Sequence, residues 1–458
     1  MERSDLHRDC DFLAMLQRQV RLRPDHPALR FGADECLTYR QLSDRVGLET
    51  ERWLASGKSC LAVLCDGSAD CVCTIFGAAA AGLQIVLLDG NLPEDEIGPL
   101  LRATDADALW GQEELDEDVS PDLTGGVTDG AGKILFFTSG TTSSARAVVL
   151  TQASLCASAW NGSALLPLCP DDTLLCLLPL NHVFGFVCGL LWGLNCGACV
   201  ALGRGPRYYS QDMRHFRPTA VSVVPLLLGF LLKQQALNEE LKLVLIGAGD
   251  CPPALPAALK RAGIQVSFGY GLTETSSGVA LSLGEDPYAM TVCPDDQVRL
   301  AEDGEILIEN KSCMMQGYYK DPEATAAVLR DGVFHTGDLG RFDEMGLLHV
   351  TGRKKEILVF PDGTKLYLPE YEARISSVLP EREFAVLDLE NSPVLYLRGK
   401  EEERGAVTAA LEPLMRALPL ARRLKALYLD PAPLPRTATG KIQRWIIKEK
   451  VVSQYDKN

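Results

Sequence analysis

Between residues 59 and 271 the chain switches repeatedly between two hydrophobic patterns, and this alternation limits the fold more than any other feature. Seven short apolar runs read as buried strands: "SCLAVLCD", "LQIVLLDG", "KILFFTSG", "TLLCLLPL", "AVSVVPL", "LKLVLIGAG" and "QVSFGYG". Segments 70–82, 94–103, 152–166, 225–237 and 253–262 between them read as helices. Strands that alternate with helices build parallel sheets covered by helices. Such sheets take ligands beyond the carboxyl ends of their strands. The fold class expected is therefore α/β, with parallel or mixed sheets flanked by helices and the chemistry in the loops that follow strands.

The pattern changes near residue 294. "QVRLAEDGEILIEN" sets Asp303-Gly304 between alternating runs, a hairpin signal, and "GRFDEMGLLHVTG" is a second turn between strand-like runs. Residues 294–352 are expected to form an antiparallel β unit closing a large domain, 1–352. The charged, then turn-rich "RKKEILVFPDGTK" reads as a linker. It leads into a small α+β domain, 353–458, in which a helix at 368–379 has Pro369 in its first turn and Tyr371, Ile375, Val378 and Leu379 on one face.

Composition excludes several classes of function. With 45 Lys+Arg against 61 Asp+Glu the formal charge is −16, which opposes a general field for nucleic acid or anionic membrane. Fifteen cysteines, an odd number scattered through apolar runs, fit small buried hydrophobes in a reducing compartment, and a cytoplasmic location is expected. Cys196 and Cys199 form a Cys-x-x-Cys with no second pair at zinc spacing, so they too read as core. The N-terminal "MERSDLHRDCDFLAML" has acidic residues and no signal-peptide pattern. Residues 183–203 are uncharged and space Gly185, Gly189, Gly193 and Gly197 four apart, as a membrane helix-packing face would. Asn195 inside the run and its sparse flanking cations favour a buried helix followed by a strand, so no integral membrane span is expected.

Several loops carry chemistry. In "ILFFTSGTTSSARAVVLT" a strand runs into Thr138, Ser139, Gly140, Thr141, Thr142, Ser143 and Ser144. These small residues offer N–H and O–H donors at close approach, which suits a polyphosphate, and Arg146 adds charge. No Gly-Lys-Ser/Thr closes the loop, so it is not a Walker loop. "FGYGLTETSS" groups Tyr270, Thr273 and Glu274 after a strand: an aromatic face, a hydroxyl and a carboxylate suited to a purine, a phosphate oxygen and Mg²⁺. Asp338 in "FHTGDLG" suits a sugar diol, "TGRKKEI" supplies Arg353, and "PRTATGKIQRW" sets Lys441 after Gly440. Each of the last three also reads as a capped turn or solvated charge when taken alone.

Together and in this order these motifs resemble the adenylate-forming superfamily, which includes acyl-CoA synthetases, luciferases and peptide-synthetase adenylation domains. The resemblance runs from "ECLTYRQLSDRV" at 35–46 to "GKIQRWIIKEK" at 440–450; "GYYKDPEATAAVL" and "GRKKEILVFPDGTKLY" look most like the long-chain acyl-CoA synthetase branch. It implies ATP, Mg²⁺ and coenzyme A as cofactors, a small-molecule carboxylic acid as substrate, and a mobile C-terminal lid. It further implies that Thr138 to Thr142 hold the β- and γ-phosphates. Tyr270 would stack on adenine beside Gly247, Ala248 and Gly249. Thr273 would touch the α-phosphate, Glu274 would bind Mg²⁺, and Asp338 would hold the ribose with help from Arg353. Lys441 would bridge the substrate carboxylate and the α-phosphate. Lys355 would be the hinge, and His182 the gate beside the acyl site.

The chain also departs from the family pattern. After Thr142, where the family has Gly, any residue, Pro, Lys and Gly, stand Ser143, Ser144, Ala145, Arg146 and Ala147, a stiffer loop that keeps one charge. Pro369 comes one residue after the position, Leu368, where the family's proline falls. Val183, Phe184, Gly185, Phe186 and Val187 carry no carboxylate to hold an α-ammonium, so an uncharged, largely apolar fatty or aryl acid is expected, with room left by Gly185, Gly189 and Gly278. The function expected is activation of that acid as an acyl-adenylate, with release of pyrophosphate, and transfer to CoA. Loading of an acyl carrier protein, and a degenerate nucleotide- or acyl-binding protein with weak turnover, are the alternatives.

Overall fold

A computed structural model describes residues 8–111, 132–138, 146–249, 251–359, 365–389, 392–436 and 442–455. All seven apolar runs are strands: Cys60–Cys65, Gln84–Asp89, Lys133–Phe137, Thr173–Cys176, Ala220–Val223, Leu243–Ile246 and Gln265–Leu272. They divide between two sheets. The first three lie in parallel within a six-stranded sheet, and the last four in parallel at the centre of a fourteen-stranded one. Cys60–Cys65 is buried along its whole length, as expected of a parallel strand covered on both faces. The intervening helices start where a side chain satisfies the first free N–H groups: Ser68 accepts from Cys71 N–H ahead of Ala69–Ala80, and Thr151 and Ser154 cap each other at the start of Gln152–Leu165.

Four aromatic rings join the two sheets. Phe136 on the six-stranded sheet, Phe186 after strand Thr173–Cys176, and Phe12 and Phe76 on two helices pack with ring centroids 4.5–6.4 Å apart. All four are fully buried. Aromatic pairs at such distances contribute beyond their buried area.

The uncharged stretch 183–203 folds as a π-helical segment, Gly185–Leu191, then a short helix, Trp192–Cys196, then strand Cys199–Leu202. The wider π turn, in place of a plain α-helix, is the departure from expectation. The glycine spacing has a packing cause. A Cβ at Gly185 would stand 2.2 Å from the Pro179 carbonyl oxygen, one at Gly189 2.9 Å from Cys176 Sγ, and one at Gly193 2.6 Å from a Val200 methyl. The segment lies against its own neighbouring strands, and no described helix is long and apolar enough to cross a membrane. Cys196 and Cys199 are buried here, with the Cys196 thiol 3.4 Å from Ser163 Oγ.

The β unit beyond residue 294 is antiparallel, as its turns predict: Gln297–Leu300 pairs Glu305–Glu309, which pairs Val333–Phe342, which pairs Leu348–Arg353. Leu348 also pairs Met290, so this unit continues the fourteen-stranded sheet. "RKKEILVFPDGTK" is more structured than a linker. A 3₁₀ turn at Lys354–Glu356 leads into strand Ile357–Val359, which pairs Lys365–Tyr367. Leu358 drives this by burying itself fully beside Tyr371 and Ile375. The rest of the tail is a three-stranded sheet, Phe384–Leu389, Ser392–Arg398 and Ala426–Asp430, with helices Leu368–Val378, Arg404–Ala417 and Arg444–Tyr455. Pro369 sits in the first turn of Leu368–Val378, and Tyr371, Ile375 and Leu379 are buried.

Gly185→Ala should lower stability by about 1–3 kcal/mol, because the atom it would crowd is backbone and cannot swing away. Urea denaturation should show the midpoint falling; an unchanged midpoint would contradict this packing.

Candidate functional site

Strands Leu243–Ile246 and Gln265–Leu272 end at a cleft of about 800 Å³, where a parallel sheet is expected to take its ligand. Its walls come from four directions. The parallel strands bring Gly247, Ala248, Tyr270, Thr273 and Glu274; the β unit brings Asp338 and Arg353; the strand pair Lys133–Phe137 and Ala147–Thr151 brings Thr138 and Arg146; and the turn before the π-helical segment brings His182. Tail residues Leu368, Asp388, Ile442, Arg444, Trp445 and Lys448 face the same space. Residues separated by more than 300 positions in the chain thus meet in one cavity.

Asp338 is 3% exposed. Its Oδ2 accepts from the Tyr270 hydroxyl and its Oδ1 pairs with Arg353 Nε, each at 2.9 Å. Burial, reinforced by the neighbouring carboxylate, pushes the Tyr270 phenol well above its ordinary pKa, so it stays a neutral donor. Thr336, in the same strand as Asp338, steadies it: its hydroxyl donates to the Ile306 carbonyl and accepts from Asp338 N–H.

Across the cleft, Glu274 sits in the 3₁₀ turn Thr273–Thr275, and its Oε1 accepts from the Tyr318 hydroxyl at 2.7 Å. The Arg146 guanidinium lies 5.3 Å from the centre of the Tyr318 ring and 3.5 Å from Asp321 Oδ2. Burial, with Glu274 adding to it, raises the Tyr318 pKa. Thr138 and Arg146 exchange backbone and side-chain contacts at the base of the Ser/Thr loop: Thr138 N–H donates to the Arg146 carbonyl, and Arg146 N–H to Thr138 Oγ1. Ala248 and Ser277, which line the cleft, and Ser276 beside Ser277 hold positive φ of 64°, 104° and 52°, a strained backbone for non-glycine residues.

Two ion-pair clusters flank the passage into the tail. Lys354 Nζ reaches Asp303 and Glu305 at 2.6 and 2.7 Å. Burial works against its charge, but the two carboxylates outweigh this and raise its pKa. Arg444 spans Glu356 at 3.3 Å and Glu372 at 2.7 Å.

Of the residues singled out in the sequence, Thr138, Arg146, His182, Gly247, Ala248, Tyr270, Thr273, Glu274, Asp338 and Arg353 all line the cleft. Gly249 is set back beside Pro225. Ser139, Gly140, Thr141, Thr142 and Lys441 lie outside the described residues, as do Ser143 to Ala145; Ile442, next to Lys441, lines the cleft. The backbone of Lys355 is in the 3₁₀ turn at the start of the tail. Gly278 lines the cleft, whereas Gly185 and Gly189 pack into neighbouring chain and leave no room there. Sequence reasoning missed Tyr318 and Arg444. Tyr318 stands within the quoted "GYYKDPEATAAVL", but nothing in that run announces a hydroxyl aimed at a carboxylate forty-four residues away.

The profile of the AMP-binding enzyme family matches residues 16–133 and 127–319. Indoleacetate–CoA ligase of Aromatoleum aromaticum is 27% identical over 504 residues, spanning 95% of this chain and 97% of that protein. A 2-succinylbenzoate–CoA ligase of Listeria innocua is also 27% identical, over 472 residues, spanning 95% of this chain and 98% of its own. Among solved structures, o-succinylbenzoate CoA synthetase from Bacillus subtilis in complex with its acyl-adenylate intermediate has the same fold, with a TM-score of 0.80, 22% identity, and coverage of 95% of this chain and 97% of that one.

Proposed function

The chain belongs to the AMP-binding enzyme family, and we propose that it is an ATP-dependent acid–CoA ligase that makes an acyl-adenylate, releases pyrophosphate and passes the acyl group to the thiol of CoA. The observation that carries this reading is the convergence of Tyr270, Asp338, Arg353, Glu274, Thr138 and Arg146 on one cleft. Full-length similarity to proteins named CoA ligases supports CoA as the acceptor.

A carboxylate is a poor acyl donor because oxide is a bad leaving group. Attack of its oxygen on the α-phosphate of ATP forms a new O–P bond, breaks the bond to pyrophosphate, and leaves that oxygen as part of AMP. Two anions must meet, so their repulsion is the main barrier. Lys441 offsets it with one fixed positive charge between the substrate carboxylate and the α-phosphate. Thr138 to Thr142, with Arg146, hold the β- and γ-phosphates as pyrophosphate leaves. Tyr270 stacks on adenine beside Gly247 and Ala248. Asp338 accepts from the ribose hydroxyls, and Arg353 keeps that carboxylate oriented. Thr273 touches the α-phosphate, and His182 gates the acyl side.

Glu274 fits Mg²⁺, which takes one or two carboxylates together with substrate phosphates and here finds a carboxylate held on the cleft wall by Tyr318. When bound, Mg²⁺ supplies charge neutralisation on the phosphates.

Residues 353–458 form the lid. The CoA thiol needs the space that Lys441 occupies during adenylation, so the lid turns about Lys355 between the two steps. The thiol sulfur then bonds to the acyl carbon, AMP leaves, and the thiol proton passes to solvent.

The reading is tested by incubating the protein with ATP, Mg²⁺ and a panel of acids and measuring pyrophosphate release, then adding CoA and measuring thioester. Nucleotide binding without acid-dependent release would defeat it. Lys441→Ala should slow adenylation by roughly 100-fold or more, and should slow use of a preformed acyl-adenylate far less; equal loss in both steps would remove Lys441 from its role. Tyr318→Phe keeps a ring under Arg146 but removes the donor to Glu274. Mn²⁺ binding, followed by electron paramagnetic resonance with a non-hydrolysable ATP analogue, should weaken by roughly 10-fold or more. Unaltered binding would mean that the hydroxyl does not orient Glu274.

A further inference from the structure

One wall of the cleft contains a strip in which three glycines lie between two leucines. Leu243–Ile246 pairs in parallel with Gln265–Leu272, placing Leu245 opposite Ser267. Gln265–Leu272 pairs antiparallel with Ser277–Ser282, placing Gly269 opposite Leu281 and Gly271 opposite Gly278. The register slips by one residue between those two pairs, with Val279 as the extra residue. Side chains alternate along a strand and paired residues share a face. Leu245, Gly269, Gly271, Gly278 and Leu281 therefore lie on one face, and all line the cleft. Without the slip Gly278 would face the other side.

The space over this strip is bounded on most sides. A Cβ at Gly247 would stand 2.8 Å from the edge of the Phe184 ring, so that ring lies at one margin. A Cβ at Gly271 would stand 1.6 Å from the Ser277 carbonyl oxygen, which covers that position. At Gly269 it would touch Leu281 and Leu245 at 3.5 and 3.6 Å. Gly278 differs: no atom lies within 4 Å of where its Cβ would be, and its φ is outside the left-handed region.

The inner end is closed. Leu245 and Leu281 are 3% and 5% exposed and belong to a packed cluster with Leu174, Trp192, Cys196 and Cys293. Trp192 is fixed there by its indole N–H, which donates to the Leu166 carbonyl at 2.9 Å. A long alkyl chain would need a channel through this cluster. The Cys188 thiol, 3.5 Å from the Ser277 hydroxyl, also lines the cleft, and burial pushes its pKa up to about 11, so it is neutral near pH 7.

Resting on the acid–CoA ligase reading, we infer that the substrate is a compact, planar aromatic carboxylic acid whose ring lies over the glycine strip beside Phe184, and that Gly278 sets how large the ring can be. A floor of glycine backbone flanked by Leu245 and Leu281, open above Gly278, with an aromatic margin and a closed apolar end, matches a ring better than a flexible chain. Gly278 acts as a specificity determinant and takes no part in bond making.

The experiment compares acetate, benzoate, 2-naphthoate and dodecanoate by pyrophosphate release, for wild type, Gly278→Leu and Leu281→Ala. In the wild type, kcat/KM for benzoate or naphthoate should exceed that for dodecanoate by roughly 10-fold or more. Gly278→Leu should shift the benzoate-to-acetate ratio toward acetate by roughly 10-fold or more, and Leu281→Ala should shift the naphthoate-to-benzoate ratio toward naphthoate. Should Gly278→Leu fail to fold, Leu281→Ala and the wild-type ranking still decide. Dodecanoate as the best substrate, or ratios unmoved in both folded variants, would overturn the inference while leaving the ligase reading intact. Absence of release with every acid would overturn the ligase reading and this inference with it.

Discussion

One buried carboxylate holds the cleft in shape. Burying a carboxylate without partners costs several kcal/mol, and Asp338 is buried. Here the Tyr270 hydroxyl from the parallel strands and the Arg353 guanidinium from the antiparallel extension each take one of its oxygens. The same two contacts tie Gln265–Leu272, Val333–Phe342 and Leu348–Arg353 together at the point where they face the cavity. Arg353 is partly exposed, so its charge is screened and the pair contributes more to geometry than to stability.

Much of this architecture could be read from the chain. Buried parallel strands leave continuous apolar runs, and these marked seven strands of the two large sheets. Asp303-Gly304 located a hairpin because Gly304 takes a φ of +86° there. The division of the strands between two sheets could not be read, because period-two and period-3.6 signals say nothing of which strand lies next to which. Nor could the π-helical form of Gly185–Leu191, which depends on how closely Pro179 and Cys176 approach it.

The cleft's lining was legible where a residue's own chemistry stands out in a short motif. Tyr270 and Glu274 could be singled out from the run that follows an apolar strand core, and Asp338 from its carboxylate in a Gly-Asp turn motif that the structure builds into strand Val333–Phe342; all three line the cleft. It was illegible where function depends on contact between distant side chains, as for Tyr318 on Glu274 and Arg444 on Glu356 and Glu372. Glycines misled in a particular way. Gly185, Gly189 and Gly278 look equivalent in a sequence, yet the first two admit neighbouring atoms and the third admits open space.

The ion pairs at the start of the tail bear on how the proposed lid can travel. Lys354 is moored to the main body through Asp303 and Glu305, while Glu356, two residues on, is moored by Arg444 to the helix that begins three residues after Lys441. Both moorings can survive a large swing only if the backbone rotates at the residue between them. With the hinge proposed at Lys355, helix Arg444–Tyr455 would travel with the lid, because Arg444 holds it to Glu356 and Glu372 on the far side of that residue.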